Sequence, residues 1–146
     1  MLPLTENMKQ KTDEEDLPKT SADVLVAEDD DGIRDLVESK LGSEIGDDYK
    51  IATSKNGEQA WDYLSEHEGD PPKLVILDVM MPELDGFSVL ERIRENEGFE
   101  DIQVIILTSR SREEDISRAL ESGADDFVAK PFSPSDLVNS VKKMLS

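Results

Sequence analysis

Three acids, a hydroxyl and an amine sit at the ends of short apolar runs in this chain. Glu28 and Asp29 follow Val24-Leu25-Val26-Ala27, Asp78 follows Leu74-Val75-Ile76-Leu77, Thr108 follows the run 102–107, and Lys130 follows Phe127-Val128-Ala129. If these runs are parallel strands, all five groups meet at one edge of the sheet. Crowded carboxylates repel unless positive charge lies between them. A hard divalent cation fills that role. Mg²⁺ keeps several waters and takes one or two carboxylates together with phosphate oxygens; Mn²⁺ is the alternative ion. Asp29 and Asp78 are the obvious pair, with Glu28 acting directly or through water and the backbone carbonyl of Met80 completing the set. A carboxylate can also be the nucleophile of phosphoryl transfer, which yields an aspartyl-phosphate. Lys130 would pair with phosphate oxygens as a mobile cation, and Thr108 could donate its hydroxyl to another. Positioning and charge neutralisation are most of what such a transfer requires.

Taken singly, each residue has a plainer explanation. Acids just after a strand often complement the dipole of the following helix, and that is the preferred reading of Asp30 and Asp31. Asp29 or Asp78 alone reads equally well as a solvated loop acid, Thr108 as a strand-end hydroxyl and Lys130 as a surface lysine. The chemical reading rests on their falling together at the same end of successive strands.

The elements that must position them alternate. The strand 24–27 is followed by Ile33, Leu36, Val37 and Leu41 at helical spacing, with Gly42 as the expected stop. Residues 49–52 form a weak strand, and Asn56-Gly57 opens a helix with Ala60, Trp61 and Leu64 on one face. The uninterrupted run 74–77 suits a central parallel strand covered on both sides. A loop from Asp78 to Gly86 leads to a helix carrying Phe87, Leu90 and Ile93. The strand 102–107, a helix marked by Ile116, Ala119 and Leu120 and ending near Gly123, and the strand 127–129 follow. Leu137, Val138, Val141 and Leu145 make the last amphipathic helix, capped by Ser133 or Ser135. This is an α/β chain, (βα) repeated five times, with a doubly wound parallel sheet and right-handed crossovers. Ligands of such sheets bind beyond the carboxyl ends of the strands. Residues 1–21 are polar and without periodicity and read as a mobile tail; the domain spans 22–146.

With 146 residues the chain suits one domain. It has no Cys and one His, which excludes disulfides, thiolate sites and any site needing two imidazoles. No apolar run approaches a membrane span and no secretory leader is visible, so a cytoplasmic location without membrane contact is expected. Sixteen basic against 35 acidic residues give a net charge of −19. That surface repels nucleic acid and favours cations and basic partners; adaptation to high salt would explain it equally well.

The segments VLVAEDDDGIR at 24–34, LVILDVMMPELDGFSVL at 74–90, VIILTSR at 104–110 and GADDFVAKPF at 123–132 resemble the receiver domain of two-component response regulators. They come in family order and cover about 23–145. The resemblance implies the flavodoxin-like strand order 2-1-3-4-5. It implies that Asp78 accepts a phosphoryl group from a histidine kinase or a His-containing phosphotransfer protein, and that Glu28, Asp29, Asp78 and the Met80 carbonyl hold the metal. Thr108 would be the switch hydroxyl, Lys130 the phosphate-pairing lysine and Phe127 the aromatic switch, often Tyr in the family. The Lys130–Pro131 bond is expected to be cis. Phosphorylation would reshape the face of the fourth helix, fifth strand and fifth helix towards an unknown downstream protein, the chain being a monomer or a phosphorylation-dependent dimer. It would catalyse only its own phosphorylation and dephosphorylation. Met80 and Arg110, flanking the site, are poor bases, which implies slow autodephosphorylation. No element follows the fifth helix, so output would lie with a partner or with a longer protein.

Three other readings compete. A flavodoxin-like cofactor protein needs hydroxyls after the first strand, where four acids stand here. A phosphatase with an Asp nucleophile would want an acid at Met80 and a covering cap. A phosphorylation-independent interaction module would lack the metal acids or the lysine, and none is missing.

Overall fold

The computed structural model describes residues 21–109 and 113–146. The proposed tail, up to residue 20, and Arg110 lie outside the described residues. In chain order the elements are β1 (Val24–Ala27), α1 (Asp31–Ile45), β2 (Ile51–Ser54), α2 (Gly57–Ser65) and β3 (Leu74–Asp78). They continue with α3 (Gly86–Glu95), a 3-10 turn (Glu97–Phe99), β4 (Gln103–Thr108), α4 (Glu113–Glu121), β5 (Asp126–Ala129) and α5 (Pro134–Leu145). All neighbouring strands pair in parallel, in the order β2-β1-β3-β4-β5. This is the expected doubly wound flavodoxin-like sheet.

Period-two alternation along the strands divides the core. Leu25, Val75, Leu77, Val104 and Ile106 face one way, against Ala60 and Leu64 of α2 and Phe87, Leu90 and Ile93 of α3. Val24, Val26, Leu74, Ile76, Ile105 and Leu107 face the other way, against Val37, Leu41 and Ile45 of α1 and Leu137, Val138 and Val141 of α5. With both faces covered, β3 is buried at every position, which is why its sequence shows no alternation.

The helices begin at the carboxyl edge of the sheet, and four of them start on a side-chain cap. Asp30 accepts from Ile33 N, Asn56 from Gln59 N, Asp85 from Ser88 N and Ser133 from Asp136 N. Ser133, and not Ser135, therefore opens α5.

Some boundaries differ from the sequence reading. α1 runs through Gly42 to Ile45, because Ile45 still has core to bury. β2 starts at Ile51, since Tyr49 N–H returns to Ile45 O and completes the turn after α1. Leu36 and Leu120 are 48% and 51% exposed; the neighbouring Val37 and Ala119 take the inward positions. Ser21 is buried, its N–H donating to Asp70 Oδ2, and Ala22 N–H donates to Tyr63 Oη at 2.7 Å. The entry to β1 is thus tied down. Among the described residues no helix is long and apolar enough to cross a membrane.

Candidate functional site

Parallel pairing aligns Ala27 with Leu77, Asp78 with Leu107, and Thr108 with Ala129. The residues at or just beyond these ends therefore share one edge. Carboxylate oxygens of Glu28, Asp29 and Asp78 lie within 4.8 Å of one another. Lys130 enters from the end of β5, its own N–H donating to Thr108 O at 2.8 Å. Its ammonium nitrogen lies 2.7 Å from Glu28 Oε1 and 3.3 Å from Asp78 Oδ2. The Lys130–Pro131 bond is cis, as expected.

The acids have different surroundings. Glu28 is fully buried. Its Oε2 accepts from Asp30 N–H at 3.0 Å, its backbone N–H donates to Ser54 O, and its carbonyl accepts from Arg34 Nη1 at 3.0 Å. Oε1 is buried, and the group against it is the Lys130 ammonium at 2.7 Å. Asp78 is buried at the end of β3, and its Oδ1 accepts from Met80 N–H at 3.2 Å. Asp29 is exposed, and its carboxylate has no hydrogen bond or ion pair among the described residues.

Crowding sets the protonation energetics. Burial, then the hydrogen bond and the charge of Glu28, push the Asp78 carboxyl up to about 7, against the pull of Lys130 and the Met80 N–H. Burial lowers Lys130, but its pairing with Glu28 and Asp78 outweighs this and holds it above the ordinary lysine range. One ammonium does not satisfy three carboxylates. Two buried carboxylates that share one ammonium, one of them driven towards neutrality, and an exposed carboxylate with no partner among the described residues form an all-oxygen donor set short of positive charge. That set fits a hard divalent cation.

Thr108 is buried at the end of β4. Met80 is 54% exposed on the rim. Phe127 is half-buried and packs against the core cluster that contains Phe87 and Ala119. Asp30 caps α1 and Asp31 pairs with Arg34, the helix-end roles expected of them.

Three further contributors escaped the sequence reading. Arg34 holds the Glu28 carbonyl. Gly86 lies so close to the end of β3 that a Cβ would sit 2.4 Å from Asp78 O. Gly57 packs on the same loop, where a Cβ would fall 1.8 Å from Leu84 O. Two glycines thus let backbone press on both sides of the loop after Asp78; the Asp-Gly at 85–86 was the available signal. A surface hollow of about 700 Å³ beside Ala22, Gly42, Tyr49 and Ile51 lies at the opposite, amino edge of the sheet and carries none of this chemistry.

A family model described as the response regulator receiver domain matches residues 24–142. The response regulator Rre1 of Synechocystis sp. is 37% identical over 123 residues, covering 84% of this chain and 51% of that protein. A probable transcriptional regulator, ycf27, of Cyanophora paradoxa is 41% identical over 122 residues, covering 84% and 47%. The chain spans about half the length of these relatives. Among solved structures, the signal receiver domain of a DNA-binding response regulator from Colwellia psychrerythraea superposes with a TM-score of 0.75 at 30% identity, covering 84% of this chain and 96% of that one.

Proposed function

The chain belongs to the response regulator receiver family, and we propose that it receives a phosphoryl group on Asp78 from the phosphohistidine of a kinase or a phosphotransfer protein. The observation that carries this assignment is the meeting of Glu28, Asp29 and Asp78 within 4.8 Å, with the Lys130 ammonium against two of them.

Asp78 would attack phosphorus through a carboxylate oxygen. The new O–P bond forms as the P–N bond to the donor imidazole breaks, and that imidazole, protonated on its other ring nitrogen, leaves as the neutral ring. Glu28 and Asp29, with Asp78 and the Met80 carbonyl, would hold Mg²⁺ or Mn²⁺. When bound, the ion supplies positive charge for the transferring oxygens and helps to align the attack. Lys130 is already poised within 3.3 Å of the nucleophile and would follow the phosphoryl oxygens as negative charge moves outwards. Thr108, at the neighbouring strand end, would donate its hydroxyl to the phosphoryl group, and Phe127 would turn further inward behind it. The face formed by α4, β5 and α5 would change its partner preference through that population shift. With such a donor the chain would work in the cytoplasm, as a monomer or a phosphorylation-dependent dimer, on a downstream protein. Met80 offers no base for a hydrolytic water, so the acyl phosphate would persist; decay within seconds would contradict this.

The test is intact mass after incubation with Mg²⁺ and acetyl phosphate. One added phosphoryl mass, lost in Asp78→Asn and blocked by a chelator, is expected. No adduct in the wild type would leave a phosphorylation-independent interaction module as the better reading.

A further inference from the structure

We propose that Arg34 is a positioning residue for the divalent ion, acting through the backbone that aims Asp29. The inference rests on the reading that Glu28, Asp29 and Asp78 hold a cation, and it adds a group from outside that set.

Arg34 stands on the first turn of α1 with its side chain only 14% exposed. One guanidinium nitrogen donates to the Glu28 carbonyl at 3.0 Å, and the other pairs with Asp31. The pair with Asp31 is an ordinary surface contact, since Asp31 is 81% exposed, and such pairs contribute little. The bond to the carbonyl is different. That oxygen lies in the same rigid peptide plane as the nitrogen of Asp29, so fixing it fixes the direction in which the Asp29 Cα leaves the strand. The preceding peptide is pinned separately by Glu28 N–H to Ser54 O at 3.1 Å. Among the described residues the Asp29 carboxylate has no bond of its own to aim it. Its place in the cluster therefore depends on the loop 28–31, which Arg34 spans from end to end. A fork with two donor arms suits that span, whereas a lysine offers a single point.

Mn²⁺ affinity of the metal-stripped full chain, read as loss of the free-ion paramagnetic resonance signal, tests this without any turnover. Arg34→Ala is expected to weaken binding about tenfold, in the range for outer groups that orient metal ligands. Arg34→Lys should recover only part, and Asp31→Ala should stay within about twofold of wild type. Arg94→Ala is the control. Arg94 ties Gly123 O, Ile102 O and Asp125 together far from the site, so its loss should lower the melting temperature and leave Mn²⁺ affinity alone. Unchanged affinity in Arg34→Ala, or equal losses in Arg34→Ala and Arg94→Ala, would overturn the assignment while the metal reading stands. A wild type that takes up no Mn²⁺ would remove the metal reading and this assignment together.

Discussion

At the scale of single residues the site is under electrostatic stress that a bound cation would relieve. The Asp78 carboxyl titrates near 3.8 when unfolded and about 7 when folded. Between those values the folded chain holds a proton that the unfolded chain has released. The stabilisation from this group is therefore complete below about 3.8 and is lost as pH rises through about 7. As far as this group decides it, metal-free protein should melt at a lower temperature at pH 8 than at pH 5, and Mg²⁺ should raise the melting temperature more at pH 8. Equal Mg²⁺-induced shifts at the two pH values would contradict the coupling. Asp78→Asn removes one of the two facing charges and leaves Glu28 its contact with Lys130. Metal-free Asp78→Asn should melt roughly 5 °C above metal-free wild type at pH 8, about 1–2 kcal/mol, while losing phosphorylation entirely. Calorimetry beside intact mass reads both. A destabilised Asp78→Asn would mean that the ion pair with Lys130 outweighs the repulsion.

At the scale of elements, most of what positions the site was legible in the sequence. Apolar runs ended by polar groups are visible one run at a time, and parallel pairing then collects their ends without further information. Glu28, Asp78, Thr108 and Lys130 could be grouped for that reason. What stayed hidden depends on contacts across long separations. Nothing local marks Leu36 as outward and Val37 as inward, because the sheet and α5 together decide which stripe is covered. Arg34 and Gly57 were equally silent, since their partners are a carbonyl and a loop the sequence does not show. Glycines make the point testable. Gly42 lies inside α1, and a methyl group added there would meet nothing within 4 Å, so Gly42→Ala should stabilise by about 0.5–1 kcal/mol. At Gly86 the same methyl would meet the Asp78 carbonyl at 2.4 Å. Gly86→Ala should cost about 1–3 kcal/mol and slow phosphorylation as the nucleophile loop shifts. Denaturant melts with the acetyl phosphate assay would separate the two, and a neutral Gly86→Ala would refute the close packing.

At the scale of the whole molecule, the net charge of −19 acts on stability independently of the site. Self-repulsion on this scale disfavours the compact state. Added salt shortens the screening length from about 10 Å at 0.1 M to about 3 Å at 1 M, and so removes most repulsion between exposed acids. Ion pairs that cross the fold at the surface, such as Lys142 with Glu44 between α5 and α1 at 3.3 Å, lose strength under the same screening. With 35 acids against 16 bases the repulsive terms outnumber the attractive ones, and stability should rise with KCl. The buried cluster obeys a different law, because a diffuse salt atmosphere screens the buried Glu28 and Asp78 much less than it screens exposed acids. KCl and Mg²⁺ should therefore act separably. Raising KCl from about 0.05 to about 1 M should increase the melting temperature of wild type and of Asp78→Asn by similar amounts, whereas millimolar Mg²⁺ at fixed ionic strength should act on wild type far more than on the variant. If KCl leaves the melting temperature flat, the acids are dispersed widely enough to be harmless. The acidity would then reflect the surface its partners must recognise, and not a solvent that screens it.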